Sequence, residues 1–235
     1  FKKENTGAKT GVTVCLGGST QWQCRSVDEK AKTQGLFADK IVAGDVNGDG
    51  NMDIAIASLQ HRLTLIVWLG DGKGGFTPFN EGLITERHYP SVALADLNGD
   101  GRDDLIASIT GFKNQSTRLL KAYLSEKDGF KDISEGLPDN EVYLAVSAGD
   151  LDGDGVPEIV AGTGMGIINV FSRKNGKWQK IKTFGLPEGG LARLYNTYCV
   201  DVNNDGLDDI AFNYATEKNN TGGIHVFLTV PSPKQ

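Results

Sequence analysis

Apolar residues in this chain fall into short runs of four to eight, separated by clusters of glycine, aspartate and asparagine. The runs are rich in Leu, Ile, Val and aromatic residues, and no helix-period stretch exceeds two turns, so they predict strands rather than helices. The runs also recur in a fixed order. ADKIVAG, YPSVALA, VYLAVSA and LYNTYCV each lead into an acidic turn, and DIAIAS, DLIAS, EIVAG and DIAFN each leave it. A third strand follows as LTLIVWL, RLLKAYL, GIINVFS and GGIHVFL. In the first three repeats a weaker fourth is added as GFTPFN, GFKDIS and KWQKIK.

The acidic turns begin at Asp45, Asp96, Asp150 and Asp201, which are 51, 54 and 51 residues apart. Three or four strands in a period of about fifty residues are the pattern of β-propeller blades. The expected fold is therefore all-β, one propeller domain over residues 1–235. Its blades are expected at 37–87, 88–141, 142–191 and 192–230, with a partial blade at 11–36 and a tail at 231–235. Residues 11–25 read as the third and fourth strands of a blade without its first two, and the last repeat stops after its third strand. Either the N-terminal segment completes the last blade in a ring of four or five, or the chain is part of a larger ring.

The turns predict metal. Counting from the first aspartate, position 1 is Asp45, Asp96, Asp150 or Asp201, and position 3 is Asn47, Asn98, Asp152 or Asn203. Position 5 is Asp49, Asp100, Asp154 or Asp205, and position 9 is Asp53, Asp104, Glu158 or Asp209. All sixteen side chains offer oxygen, which suits Ca²⁺ with its six to eight oxygen ligands. Position 7 (Asn51, Arg102, Val156, Leu207) varies freely, as expected where only the backbone carbonyl is used. Position 6 is always glycine and position 4 is Gly48, Gly99, Gly153 or Asn204, residues that tolerate a left-handed backbone. Zinc would need His or Cys, and none lies in these loops. An EF-hand would need Glu at position 12 and flanking helices, whereas position 12 is Ile56, Ala107, Ala161 or Phe212 and the flanks are strands. About four Ca²⁺ ions are expected, in a structural role.

Charge supports this. The formal net charge is −6, which disfavours a nucleic-acid partner. Thirteen acids sit at the sixteen candidate ligand positions of the four loops, so the acidity reads as a demand for metal. No run of eighteen apolar residues exists, so no membrane insertion is expected. The polar start FKKENTGAKTG has no signal-peptide pattern, as in a mature secreted chain or an excised piece of one. Cys15 and Cys24 flank a turn, either as a cross-strand disulfide or as two thiols. Cys199 reads as a buried free thiol.

The segments DVNGDGNMDIAIA, DLNGDGRDDLIA, DLDGDGVPEIVAG and DVNNDGLDDIAF resemble the FG-GAP/VCBS repeats, the family of the calcium-binding blades of integrin α-subunits. LGDGKGGF and LSEKDGF resemble its turn between later strands. The resemblance covers about residues 37–230. It implies a propeller whose calcium loops brace the first two strands of each blade, in a secreted, cell-surface or periplasmic protein. Family members include adhesion receptors, lectins and propeller domains of polysaccharide lyases. Integrin-like rings have seven such repeats, whereas four are visible here.

No GxSxG, HExxH or phosphate-cradle motif is present, so no catalytic residue is assigned. His88, Tyr89, Tyr143, Arg193 and Tyr195 precede the loops, where a propeller face would meet a ligand. They are the candidates for binding a sugar or peptide, against ordinary strand-edge packing. NQS at Asn114 and NNT at Asn219 match glycosylation sequons. The leading expectation is a binding module for glycans or a protein partner. The alternatives are a lyase-like enzyme domain and a structural part of a larger adhesin or receptor.

Overall fold

The computed structural model describes residues 11–17, 21–27, 38–59, 64–85, 87–110, 119–185, 192–216 and 222–230. The fold is an all-β four-bladed propeller. The blades are antiparallel sheets. The first holds β3 (Lys40–Gly44), β4 (Asp53–Ala57), β5 (Leu65–Gly70) and β6 (Phe76–Pro78). The second holds β7 (His88–Ala95), β8 (Asp104–Thr110), β9 (Leu119–Glu126) and β10 (Gly129–Asp132). The third holds β11 (Tyr143–Gly149), β12 (Glu158–Thr163), β13 (Ile167–Lys174) and β14 (Lys177–Gly185). The fourth holds β15 (Ala192–Val200), β16 (Asp209–Thr216) and β17 (Gly222–Phe227).

The innermost strands β3, β7, β11 and β15 surround one axial space of about 280 Å³. Crowding at the axis explains their small residues, as in KIVAG and LAVSAG. Lys40 links the first and last blades there: its Nζ donates to Asn196 Oδ1 at 2.9 Å and lies 4.7 Å from the centre of the Tyr198 ring. β8 and β12 are covered on both faces by neighbouring blades, and β4 by the second blade and by residues near the N-terminus, so all three are buried over nearly their whole length. Their near-continuous apolar runs follow from that burial.

Alternate residues of each second strand serve opposite interfaces. Ala55 and Ala57 of β4 face the second blade with Leu65 and Val67, whereas Ile54 and Ile56 point the other way. Ile106 of β8 joins Ile159 and Ala161 of β12 between the second and third blades. Val160 meets Ile210 and Phe212 between the third and fourth.

Of the two alternatives for the N-terminal segment, completion of the last blade is not what the structure shows. β1 (Thr13–Leu16) and β2 (Gln23–Ser26) pair only with each other, in a sheet of their own. Val12 and Val27, which flank them, pack on Ile54, Ile56, Ile66 and Trp68, the face of the first blade turned away from the second. Removing that apolar face from water favours this seat for the hairpin. Of the cysteine alternatives, the disulfide is present: Cys15 and Cys24 are cross-strand partners and are bonded. Cys199 is a free thiol, and burial pushes it up to about 12.

Two blade junctions carry a second link. The position 8 acid Asp103 of the second loop accepts the Asp45 N–H through Oδ2 at 2.9 Å, and its own N–H donates to Asp45 O at 2.7 Å. Asp208 repeats this with Asp150, at 3.0 and 2.8 Å. At these two junctions the residue before the first aspartate is glycine, and the acid lies against it. A Cβ on Gly44 would stand 2.2 Å from Asp103 Oδ2, and one on Gly149 2.3 Å from Cys199 Cβ and 2.4 Å from Asp208 Oδ2. At the middle junction position 8 is Pro157, which lacks an N–H, and the matching residue is Ala95. Glycine and acid thus occur together or not at all across these three junctions.

This pairing makes a testable contrast. Gly149→Ala is expected to cost about 1–3 kcal/mol through overpacking, read as a lower urea midpoint at unchanged slope. Ala95→Gly, where no acid approaches, is expected to cost only about 0.5–1 kcal/mol from chain entropy. Equal costs at the two sites would refute the close-approach explanation.

Candidate metal centre

Each loop is shaped by the carboxylate at position 1. Asp45 Oδ1 accepts the N–H groups of Gly48 and Asp49 at 2.8 and 3.2 Å, while Oδ2 accepts that of Gly50 at 2.8 Å. Such a wrap needs left-handed backbone at positions 4 and 6: φ is 75° at Gly48 and 81° at Gly50. In the fourth loop Asn204 takes φ 59° where the other loops have glycine, as its short amide side chain permits. The Gly206 N–H, first among the hydrogen bonds to Asp201, holds that carboxyl below its usual range.

Position 9 plays a different part. Asp53 is fully buried, with Oδ2 accepting the Val46 N–H at 2.8 Å and Oδ1 the Gly70 N–H at 2.7 Å. Asp104 does the same for Leu97 (2.9 Å) and Ser125 (2.7 Å), and Asp209 for Val202 (3.1 Å) and Thr229 (2.7 Å). Glu158 accepts from Leu151 at 3.0 Å. This acid therefore ties its loop to the third strand of its own blade before any cation is considered. Burial pushes Asp104 and Glu158 up to about 7, and raises Asp53 in the same direction.

The loops are not equivalent. In three of them position 3 is asparagine, whose amide donates to the position 5 carboxylate: Asn47 to Asp49 at 3.0 Å, Asn98 to Asp100 at 3.1 Å, and Asn203 to Asp205 at 3.0 Å. In the third loop it is Asp152, which as a carboxylate has no proton to donate. Asp150, Asp152 and Glu158 instead bring one oxygen each to within 4.8 Å of one another. Among the described residues they form the cluster best placed to hold a metal. Three acids with only oxygen donors repel each other unless a cation or proton intervenes, and they suit a hard cation. Loop two is the reverse case: the Arg102 guanidinium donates to Asp100 Oδ2 at 2.5 Å. Position 7 was expected to use only its carbonyl, yet here its side chain supplies positive charge to the loop. The pairing was not evident from spacing, since it depends on the arginine folding back over its own turn.

Comparison with known proteins fits this geometry. An FG-GAP-like repeat family matches residues 45–107, and the FG-GAP repeat itself matches residues 142–177. The chain carries FG-GAP repeats. A T-cell immunomodulatory protein homolog from Plasmodium yoelii yoelii is 29% identical over 137 residues, which is 51% of this chain. The chain spans 19% of that relative's length. The crystal structure of the exotype rhamnogalacturonan lyase YesX aligns with 79% of this chain and 40% of its own, at 16% identity and a TM-score of 0.49.

The candidate ligand residues do not share one open surface. Tyr89 and Tyr143 are 0% and 1% exposed, a correction to their expected role. The Tyr89 hydroxyl donates to Ile84 O, and the Tyr143 hydroxyl to Glu141 while accepting from Asn169 Nδ2 at 3.0 Å. The reason is local: the pairing register shifts between His88 and Ser91, and between Tyr143 and Ala145. Such irregularities re-aim side chains, here into the core. His88 Nδ1 contacts Leu59 O, and Tyr195 is 50% exposed. Arg193 lies in β15, outside the residues whose side chains are described, and His61, Asn114 and Asn219 also fall outside the described residues. His225 stacks against both Phe212 and Tyr214, with Nε2 3.0 Å from the Tyr214 hydroxyl.

Two measurements separate scaffold from ligand within an FG-GAP loop. In metal-free buffer Asp104→Ala is expected to lose about 2–6 kcal/mol, since it strands the Leu97 and Ser125 N–H groups at roughly 1–3 kcal/mol each. Asp154→Ala, at an exposed position 5, should leave the metal-free denaturation curve unchanged. The pH dependence should also be inverted. Asp104 and Glu158 sit near 7 when folded against 3.8 and 4.5 ordinarily. Between about pH 4.5 and 7 the folded state therefore holds more protons than the unfolded, so this contribution to stability falls as pH rises. Thermal melts in EDTA across that window check it: a midpoint that climbs with pH would contradict the raised values.

Proposed function

We propose that these FG-GAP repeats form a calcium-stabilised extracellular recognition module for a glycan or protein partner, with Ca²⁺ held structurally in the loops. The observation that carries the calcium reading is the meeting of Asp150, Asp152 and Glu158 in a loop already wound by its own N–H groups. Asp154 and the Val156 carbonyl would complete that set. The same positions in the other loops would hold further ions: Asp45, Asn47, Asp49 and Asp53; Asp96, Asn98, Asp100 and Asp104; Asp201, Asn203, Asp205 and Asp209. Carbonyls of Asn51, Arg102 and Leu207 would join them. A bound ion neutralises carboxylates that otherwise repel, and a ligand selective for the folded state stabilises it by mass action. The Cys15–Cys24 disulfide supports an oxidising location outside the cytosol. The name of the T-cell immunomodulatory relative is in keeping with recognition.

Isothermal titration with CaCl₂ and melts in calcium against EDTA test the metal reading. Third-loop binding is expected to be tightest, with Asp152→Asn weakening that site at least tenfold and the second loop weakest because of Arg102. Identical melts in calcium and EDTA would refute structural calcium. A glycan array run in calcium and in EDTA tests the recognition reading. Specific binding lost in EDTA supports a calcium-dependent lectin; no binding by a folded protein removes glycans and leaves a protein partner.

A further inference from the structure

The fourth strands of the first three blades follow one rule: an aromatic residue, then an apolar residue three positions later. The pairs are Phe76 with Phe79, Phe130 with Ile133, and Trp178 with Ile181. Successive pairs interlock. Phe130 reaches back to Phe79 of the blade before it, with ring centroids 5.3 Å apart. Trp178 reaches back to Ile133, whose carbonyl accepts its indole N–H at 3.0 Å. Each aromatic also joins the core cluster of the position 2 residue of the preceding loop, Val46 for Phe130 and Leu97 for Trp178. Those residues are 0% and 1% exposed.

Ile181 is the next apolar member of this series, and Leu151 the next position 2 residue. Ile181 is 48% exposed and Leu151 only partly buried. Both line a groove of about 470 Å³ with Val170, Phe184, Phe227 and Leu228. β17 borders the groove as the outer strand of its sheet among the described residues. The register of an added strand follows from the other blades. Phe76 and Phe130 lie opposite Gly70 and Ser125, the residues whose N–H groups are held by Asp53 and Asp104. Thr229, held likewise by Asp209, is the equivalent residue and also lines the groove.

We propose that this groove is an acceptor for an extended peptide strand of a protein partner. The strand runs antiparallel to β17, sets an aromatic side chain opposite Thr229 over Leu151 and Ile181, and places an aliphatic residue three positions later. Main-chain hydrogen bonds to β17 hold the strand, and the aromatic socket selects it. The inference goes beyond the recognition reading by giving a place and a sequence rule for the partner, and it does not depend on calcium.

The chain supplies its own probe. A fluorescein-labelled peptide of residues 175–184, which contains Trp178 and Ile181, is titrated with the full chain by fluorescence anisotropy. Saturable binding is expected. Binding should weaken at least tenfold for the Trp178→Ala peptide, and likewise for protein carrying Ile181→Glu or Leu228→Glu. Both protein changes are at exposed positions, and circular dichroism confirms that the variants fold. Absence of binding overturns the proposal, as does binding indifferent to the peptide change and to both protein changes. Sedimentation velocity covers the remaining occupant. Concentration-dependent self-association that Leu228→Glu abolishes and the peptide does not compete would assign the groove to a second copy, and would also overturn it.

Discussion

Everything in a blade hangs on one buried carboxylate. The position 9 acid stands at the first residue of the second strand, accepts an N–H from the turn it closes, and in three blades accepts another from the end of the third strand. Loop, second strand and third strand are thereby locked in register before blades pack on one another. Burial makes this anchor costly to ionise, and its hydrogen bonds offset only part of that cost. A cation within reach of the same carboxylate would offset the rest. Scaffold and metal site share an atom, which makes ion occupancy a matter of stability as well as of chemistry.

From that anchor the blades are joined by two kinds of contact. Apolar residues of alternate parity on the second strands fill the space between neighbouring sheets. The fourth-strand aromatics then staple each blade to the one before, with Phe130 and Trp178 also donating their backbone N–H to Glu81 and Glu135 carbonyls at 2.8 Å. Asp103 and Asp208 add a loop-to-loop link at the first and third junctions. The middle junction, with Pro157 and Ala95, lacks that loop-to-loop link and is joined by packing and by bonds such as Val146 N–H to Ser91 Oγ at 3.2 Å.

The four loops look alike in sequence but differ in chemistry by single residues. Asparagine at position 3 satisfies its neighbour with an amide proton; Asp152 adds a negative charge instead. Arg102 brings a positive charge to the second loop through Asp100. A family match reports the shared frame of these repeats, and the differences that would grade metal affinity lie in the side chains within it.

Period, strand order and loop geometry were legible in the sequence because each is dictated locally. Alternation of apolar residues, glycine or asparagine where φ must be positive, and oxygen-bearing residues at fixed spacing are all properties of a dozen neighbouring residues. The burial of Tyr89 and Tyr143 was not legible, because a register shift against the neighbouring strand turned them inward. Nor was the seat of the N-terminal hairpin, which rests on packing against the first blade rather than on strand pairing. The same holds for the pairing of Gly44 with Asp103 and of Gly149 with Asp208, 59 residues apart in each case. The sequence by itself determined the repeated unit and its acidic loop. Only the tertiary structure decided what each unit leans on, because contacts between blades join residues whose proximity no local pattern encodes.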